Sequence, residues 1–137
     1  MYMNYLGIDF GGKRIGLSVG NDKDAIAFPR EVIANDRERI SIIKKYIEDE
    51  NIEVVVMGES NNLDGTPNPI MKAIKVFAEE IKDELNIPVF YEPETYTSHQ
   101  AQHIQGKNKM IDASAASLIL NSFFDRMKHE KGESDTH

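Results

Sequence analysis

With 137 residues, the chain is predicted to form one domain with its own hydrophobic core. It has no cysteine, which excludes disulfides and thiolate chemistry, and its net charge of −7 argues against a protein that coats nucleic acid non-specifically. No apolar run approaches the roughly 20 residues that span a bilayer, and no signal pattern begins the chain, so we expect a cytoplasmic protein without a membrane partner.

The first third of the chain has the pattern of an antiparallel meander. Strands are predicted over residues 4–10, 13–20 and 25–34, with Gly11-Gly12 as the turn of a hairpin. Pro29 marks the third strand as an edge or an irregular strand.

Helices and strands alternate in the rest of the chain. A helix is predicted to begin at Asn35 or Asp36, both good N-cap residues. The elements predicted after it are a strand at 53–57, a loop at 58–69, a helix at 68–86, a strand at 87–92, a short helix at 97–103 and a long helix at 111–128. This order predicts an α/β fold of residues 1–128, with a mixed sheet covered by helices, and a disordered tail at 129–137.

Asp9 is unusual because it interrupts the apolar residues of the first predicted strand. Aspartate is depleted from strands, and burying a carboxylate without a partner is costly. It can cap a backbone N–H of the following turn, or it can belong to a functional site. Gly7, on the same face of the strand, leaves space beside it.

Further acids lie at the ends of other predicted elements. Glu92 and Glu94 both fall at the carboxyl end of a strand, where α/β sheets collect functional groups, and spacing does not choose between them. Asp112 begins the last helix, and the small residues 113–116 would let that end approach the strand that carries Asp9. The ordinary alternatives are an exposed acid near a helix N-terminus and an N-cap.

If the three acids converge, they need cations, because carboxylates cannot share a site unless they are neutralised or protonated. Oxygen ligands suit hard divalent ions such as Mg²⁺. Two such ions can stabilise both the attacking and the leaving oxygen in phosphodiester hydrolysis. The pattern therefore favours a divalent-metal site.

Four blocks of the sequence, in this order, resemble the YqgF family, also called RuvX, of RNase H-like proteins. The blocks are GIDFGGKRIG at 7–16, GESNNLDGT at 58–66, PETYTS at 93–98 and IDASAASLIL at 111–120. The resemblance extends to about residue 125, although Pro93 and Thr95 stand where the family pattern has Asp and Arg.

The resemblance implies an RNase H-like mixed five-stranded sheet with helices on both faces. It also implies a metal-dependent endonuclease that processes the 5′ end of pre-16S rRNA, leaving a 5′-phosphate and a 3′-hydroxyl. The family's catalytic and metal-binding acids fall on Asp9, Glu94 and Asp112, which would hold Mg²⁺ or Mn²⁺. The partner would be structured RNA or branched DNA, and the protein a monomer or a homodimer.

Five polar side chains are candidates for substrate binding. Lys13 and Arg14 follow the predicted hairpin turn and would hold a phosphate, an assignment that the resemblance favours. Thr66 lies in the polar loop, and Lys107 and Lys109 lie between the last two predicted helices. Each of the five is also compatible with an ordinary solvated surface.

Two other classes of function fit the same elements. A non-catalytic module that binds RNA or protein would agree with the net charge of −7. An actin-like phosphatase also begins with a strand of this type, but that class needs two such domains and the chain is predicted to have one.

Overall fold

The fold is a single mixed sheet of five strands. The computed structural model describes residues 2–60, 69–93 and 109–135, and in the last segment it describes side chains only from 115 to 128. The strands are β1 (Asn4–Phe10), β2 (Arg14–Asn21), β3 (Ile26–Ala34), β4 (Ile52–Glu59) and β5 (Val89–Pro93), in the spatial order β3-β2-β1-β4-β5. β1, β2 and β3 pair antiparallel, whereas β4 is parallel to both β1 and β5. The predicted mixed five-stranded sheet is confirmed.

Helices cover both faces of the sheet, as predicted. They are α1 (Arg39–Asp49), α2 (Met71–Leu85) and α3 (Lys109–Asp135). Ile43 of α1 and Phe77 of α2 pack with Leu6 and Ile8 in one core cluster. A second cluster on the opposite face joins α3 to the sheet, with Ile119, Leu120, Phe123 and Phe124 against Tyr5, Val54 and Val56.

The alternation of side chains along β1 decides which face Asp9 occupies. Leu6, Ile8 and Phe10 belong to the core beneath α1 and α2. Because successive side chains of a strand point to opposite faces, Tyr5, Gly7 and Asp9 lie on the other face, which α3 covers.

The start of α1 predicted at Asn35 or Asp36 is wrong, because the helix begins at Arg39 and Glu38 caps it without a side-chain hydrogen bond. Asn35 instead donates from Nδ2 to the Gly11 carbonyl at 2.8 Å, and its backbone N–H donates to the Lys13 carbonyl at 3.0 Å. Asp36 accepts a hydrogen bond from the Glu38 N–H at 2.9 Å in a turn that precedes the helix. Contacts with the distant β1–β2 turn therefore override the local capping preference.

The last helix is longer than predicted, since helical backbone runs to Asp135 and not only to residue 128. Its final residues include Lys and Glu, which favour helices. The domain limits of 1–128 stay a prediction, and the short helix predicted at 97–103 lies outside the described residues. None of the described helices has an apolar stretch long enough to cross a membrane.

Candidate active site

The candidate site lies at the edge of the sheet where the parallel strands β1, β4 and β5 have their carboxyl ends. Asp9 is the second-last residue of β1 and is half-buried. Glu59 ends β4 and pairs with Pro93 at the end of β5. Ile8 of β1 pairs with Met57 of β4. One residue further along both strands, Asp9 is level with Gly58, and Gly58 pairs with Glu92 of β5. Functional groups of α/β sheets collect at this edge.

Helix α3 lies directly against β1 at Gly7. A Cβ added to Gly7 would stand 2.9 Å from the Ala116 carbonyl oxygen and 3.0 Å from the Leu120 Cβ, so only glycine allows this approach. Ser18, the neighbour of Gly7 on β2, is fully buried and donates to the same Ala116 carbonyl at 2.8 Å. The short distance between helix and strand, which the small residues 113–116 led us to expect, is present at Ala116.

The contacts of α3 also show its direction over β1. At the start of β1, the Tyr5 and Phe124 rings meet edge to face with centroids 5.1 Å apart. Two residues further along the strand, Gly7 meets Ala116 and Leu120. The helix therefore runs opposite to the strand, and its N-terminal turns extend towards the end of β1 that carries Asp9.

Asp112 belongs to the first turns of α3 and lies one helical turn before Ala116. A turn of four residues advances about 6 Å, close to the roughly 6.6 Å between Gly7 and Asp9 along the strand. The backbone of Asp112 is thus close to the level of Asp9 along β1, on the face of the sheet that carries Asp9. The Asp112 side chain lies outside the described residues, so its role stays a prediction.

Glu94, the other predicted ligand, follows the last residue of β5 and lies outside the described residues. The neighbouring candidate, Glu92, is described and is 4 % exposed. Its carboxylate accepts hydrogen bonds from Ser122 at 2.9 Å and from Arg126 at 3.0 and 2.6 Å. Both oxygens of Glu92 are therefore engaged with α3.

Sequence reasoning did not find the partners of Glu92 or the role of Ser18. Part of this contact could have been found from the sequence, because Ser122 and Arg126 are four residues apart and therefore share one face of α3. A buried carboxylate needs hydrogen bonds or a cation, but nothing local to Glu92 indicates which residues supply them.

Tyr91 of β5 packs on the face of the sheet that α1 and α2 cover. The pKa of Tyr91 is raised above its ordinary value, first by burial and then by the charges of Glu79 and Glu59. Asp9 lies on the other face of the sheet, which α3 covers, at the end of β1.

Of the predicted substrate-binding residues, the structure describes the side chains of Lys13 and Arg14. Both side chains are exposed, beside the turn that follows Asp9. The other three, Thr66, Lys107 and the side chain of Lys109, lie outside the described residues.

The donor chemistry fits a hard divalent cation, since the predicted ligands are all carboxylates. Within the part of the chain that the structure describes, no group of three or more His, Cys, Asp or Glu could hold a metal ion. Of the three predicted ligands, Asp9 is the one whose side chain belongs to these described residues.

Comparison with known proteins decides the family. The family model described as RuvX, Holliday junction resolvase, matches residues 3–126. The chain belongs to the RuvX family. Three relatives, each named as a pre-16S rRNA nuclease, support this membership. The relatives from Orientia tsutsugamushi, Paraburkholderia xenovorans and Paraburkholderia phymatum are 33 %, 34 % and 35 % identical to this chain. The matches cover 92 %, 96 % and 96 % of this chain and 86 %, 90 % and 91 % of the relatives.

Solved structures agree with the fold of this RuvX chain. Thermus thermophilus RuvC in complex with a Holliday junction substrate has a TM-score of 0.55 at 20 % identity, covering 91 % of this chain and 96 % of RuvC. Fowlpox virus resolvase with Holliday junction DNA has a TM-score of 0.57 at 13 % identity, and the match covers 91 % of this chain and 99 % of the resolvase. These RuvC-like resolvases have the RNase H-like fold, so the predicted fold class is confirmed.

Proposed function

We propose that this protein is a metal-dependent endonuclease that processes the 5′ end of pre-16S rRNA. Membership of the RuvX family and relatives named as pre-16S rRNA nucleases support a hydrolytic nuclease. The carboxylate of Asp9 at the end of β1 supports the dependence on metal. Structured RNA is the proposed substrate, and we expect the protein to act in the cytoplasm as a monomer or a homodimer.

Asp9, Glu94 and Asp112 are the residues that would hold Mg²⁺ or Mn²⁺. When bound, divalent ions stabilise the charge that develops on the attacking and leaving oxygens of a phosphodiester. Lys13 and Arg14, beside the turn after Asp9, bind a neighbouring phosphate of the substrate. Thr66, Lys107 and Lys109 are proposed to contact the nucleic acid further away.

The observation that carries this proposal is the path of α3 over β1. Gly7 and Ser18 hold the Ala116 turn against the sheet, and the helix runs from there towards the level of Asp9. This path supports the proposal that Asp112, although more than 100 positions away in sequence, acts at the same edge of the sheet as Asp9.

Replacement of Asp9 by Asn tests the proposal. We expect Asp9→Asn to abolish cleavage of a pre-16S rRNA fragment with Mn²⁺ and to weaken Mn²⁺ binding, with little change in thermal unfolding. The matched control is Asp83→Asn, because Asp83 is an exposed acid of α2 on the opposite side of the sheet. Retained cleavage by Asp9→Asn would exclude this mechanism.

Cleavage of branched DNA is the second candidate, favoured by the description of the matching family as a Holliday junction resolvase. The same purified protein should be assayed on a four-way DNA junction and on the rRNA fragment at equal Mn²⁺. Cleavage of the junction alone would replace RNA by DNA as the substrate. If neither substrate is cut but RNA still binds, the protein is a non-catalytic module.

A further inference from the structure

The outer edge of β3 is a long stretch of backbone at the side of the described sheet. β3 stands at one end of the strand order and has nine residues, against five in β5 at the other end. The backbone N–H and C=O groups along such an edge form a template for pairing with another chain. β3 is therefore long enough to take up a further strand.

Two large apolar side chains of β3 are exposed beside this edge. Ile26 is 51 % exposed and Phe28 is 61 % exposed. Both lie on the opposite face from Ala27, which packs in the cluster beneath α3. Because the burial of apolar surface is favourable, these two side chains favour contact with another apolar surface.

The first half of the edge has nevertheless lost two of its backbone donors. The Ala27 N–H donates to Oδ1 of Asn121 in α3 at 2.8 Å, so this N–H is directed away from β2. In an antiparallel pair, residues that bond the partner strand alternate with residues directed away from it. Pro29, two residues further, therefore has the same direction as Ala27, and proline has no N–H. Asn121 and Pro29 thus remove two consecutive outward donors.

The second half of the edge is irregular and charged. The pairing of β3 with β2 shifts at Arg30, which is an extra residue in a bulge. Arg30 forms an ion pair with Glu50, and its neighbour Glu31 accepts a hydrogen bond from the Tyr46 hydroxyl of α1. A bulge and charged side chains on an edge strand oppose pairing with another chain.

Support of α3 alone does not explain this combination. The bond from Ala27 to Asn121 does join β3 to α3. Pro29, however, is exposed, so it gives up a backbone donor without adding buried surface. What Asn121 and Pro29 have in common is the row of outward donors on which both act.

We propose that the edge of β3 is a surface for pairing with a second copy of this chain, and that Asn121 and Pro29 keep this surface closed. The inference is independent of the proposed function. Antiparallel pairing of two identical edges is symmetric and ends at two copies, so it would join two five-stranded sheets into one. The Phe28 side chains of both copies would then lie on the same face, where they can pack together.

The double variant Asn121→Leu with Pro29→Thr tests the inference. Leucine accepts no hydrogen bond, so the Ala27 N–H becomes available, and threonine restores the missing donor and favours strands. If the double variant does not fold, Pro29→Thr alone decides the question, because Pro29 is exposed. The matched control is Asn4→Ala, which also removes side-chain bonds to backbone, but to two carbonyls at the start of β1.

Mass from light scattering after gel filtration is the main measurement. We expect the folded double variant to have twice the mass of the unchanged protein at the same concentration, whereas Asn4→Ala keeps the mass of the unchanged protein. Adding Phe28→Lys to the double variant should restore the original mass, because a lysine on an edge strand opposes pairing.

A spin label locates the contact between the two copies. The chain has no cysteine, so Phe28→Cys introduces a single labelling position on β3. We expect the labels of two copies to be close together when Phe28→Cys is added to the double variant, and far apart when it is added to the unchanged protein.

Three results would overturn the inference. An unchanged mass in the folded variants would show that the edge does not pair even when its donors are restored. A doubled mass with distant labels would place the contact elsewhere on the molecule. An equal increase in mass for Asn4→Ala would attribute association to a general loss of stability.

Discussion

At the scale of single residues, Gly7 is the position where the fold most clearly requires glycine. The Ala116 carbonyl of α3 and the Ser18 hydroxyl of β2 converge on the space where any other residue would carry its Cβ. The restriction is one of space and not of backbone angle. The face of β1 that carries Asp9 therefore depends on a residue without a side chain.

Gly7→Ala should destabilise the protein, because its Cβ would stand 2.4 Å from the Ser18 Oγ and 2.9 Å from a backbone oxygen. Overpacking of this kind costs about 1–3 kcal/mol, and we expect a loss in that range in urea unfolding. Gly12→Ala is the matched control, since nothing lies within 4 Å of its added Cβ, and it should change stability by less than about 0.5 kcal/mol. Equal losses in the two variants would contradict this explanation.

Single residues also show where sequence patterns reach their limit. Asp9 could be recognised as unusual because aspartate in an apolar strand is locally visible. Glu92 and Glu94 could not be separated by spacing, and only the contacts with Ser122 and Arg126 show that Glu92 is engaged by the fold. Those partners lie 30 and 34 residues away in sequence.

At the scale of elements, the turn between β1 and β2 is held by the segment that precedes α1. Asn35 donates from Nδ2 to the Gly11 carbonyl, and its Oδ1 accepts a hydrogen bond at 2.7 Å from Arg39. The turn that presents Lys13 and Arg14 is thus fixed by a residue beyond β3. Asn35, which the sequence suggests as a helix N-cap, therefore supports a distant turn.

Asn35→Ala should loosen this turn and weaken substrate binding. Loss of the side-chain hydrogen bonds costs about 1 kcal/mol of stability, and we expect KM for the rRNA fragment to rise while kcat changes little. Asn4→Ala is the matched control, because Asn4 makes equivalent bonds to the Glu50 and Asn51 carbonyls at the opposite end of β1. A fall in kcat with unchanged KM would place Asn35 in a different role.

At the scale of the whole molecule, the net charge of −7 opposes the approach of a polyanion. The structure adds to this opposition at the candidate site, where the half-buried carboxylate of Asp9 lies at the end of β1. Binding of nucleic acid there requires that cations first reduce the local charge. The positive charges of Lys13 and Arg14 alone offset only part of this negative charge.

Removal of divalent ions should therefore weaken RNA binding as well as cleavage. With Ca²⁺ or Mg²⁺ in the buffer, we expect the affinity for the rRNA fragment to exceed that in EDTA at equal ionic strength. Fluorescence anisotropy with Asp9→Asn as the control measures this difference, which should shrink in the variant. Binding that is unaffected by EDTA would favour the non-catalytic module instead.

The sequence by itself determined the strand pattern, the mixed sheet, the family blocks and the unusual placement of Asp9, because each depends on neighbouring residues and short periodicities. The tertiary structure decided that α3 covers the face of Asp9, that α1 begins only at Arg39 and that Glu92 is paired with Arg126. These features depend on contacts between segments far apart in the chain. Their energies outweigh local preferences, and no short window of sequence contains both partners.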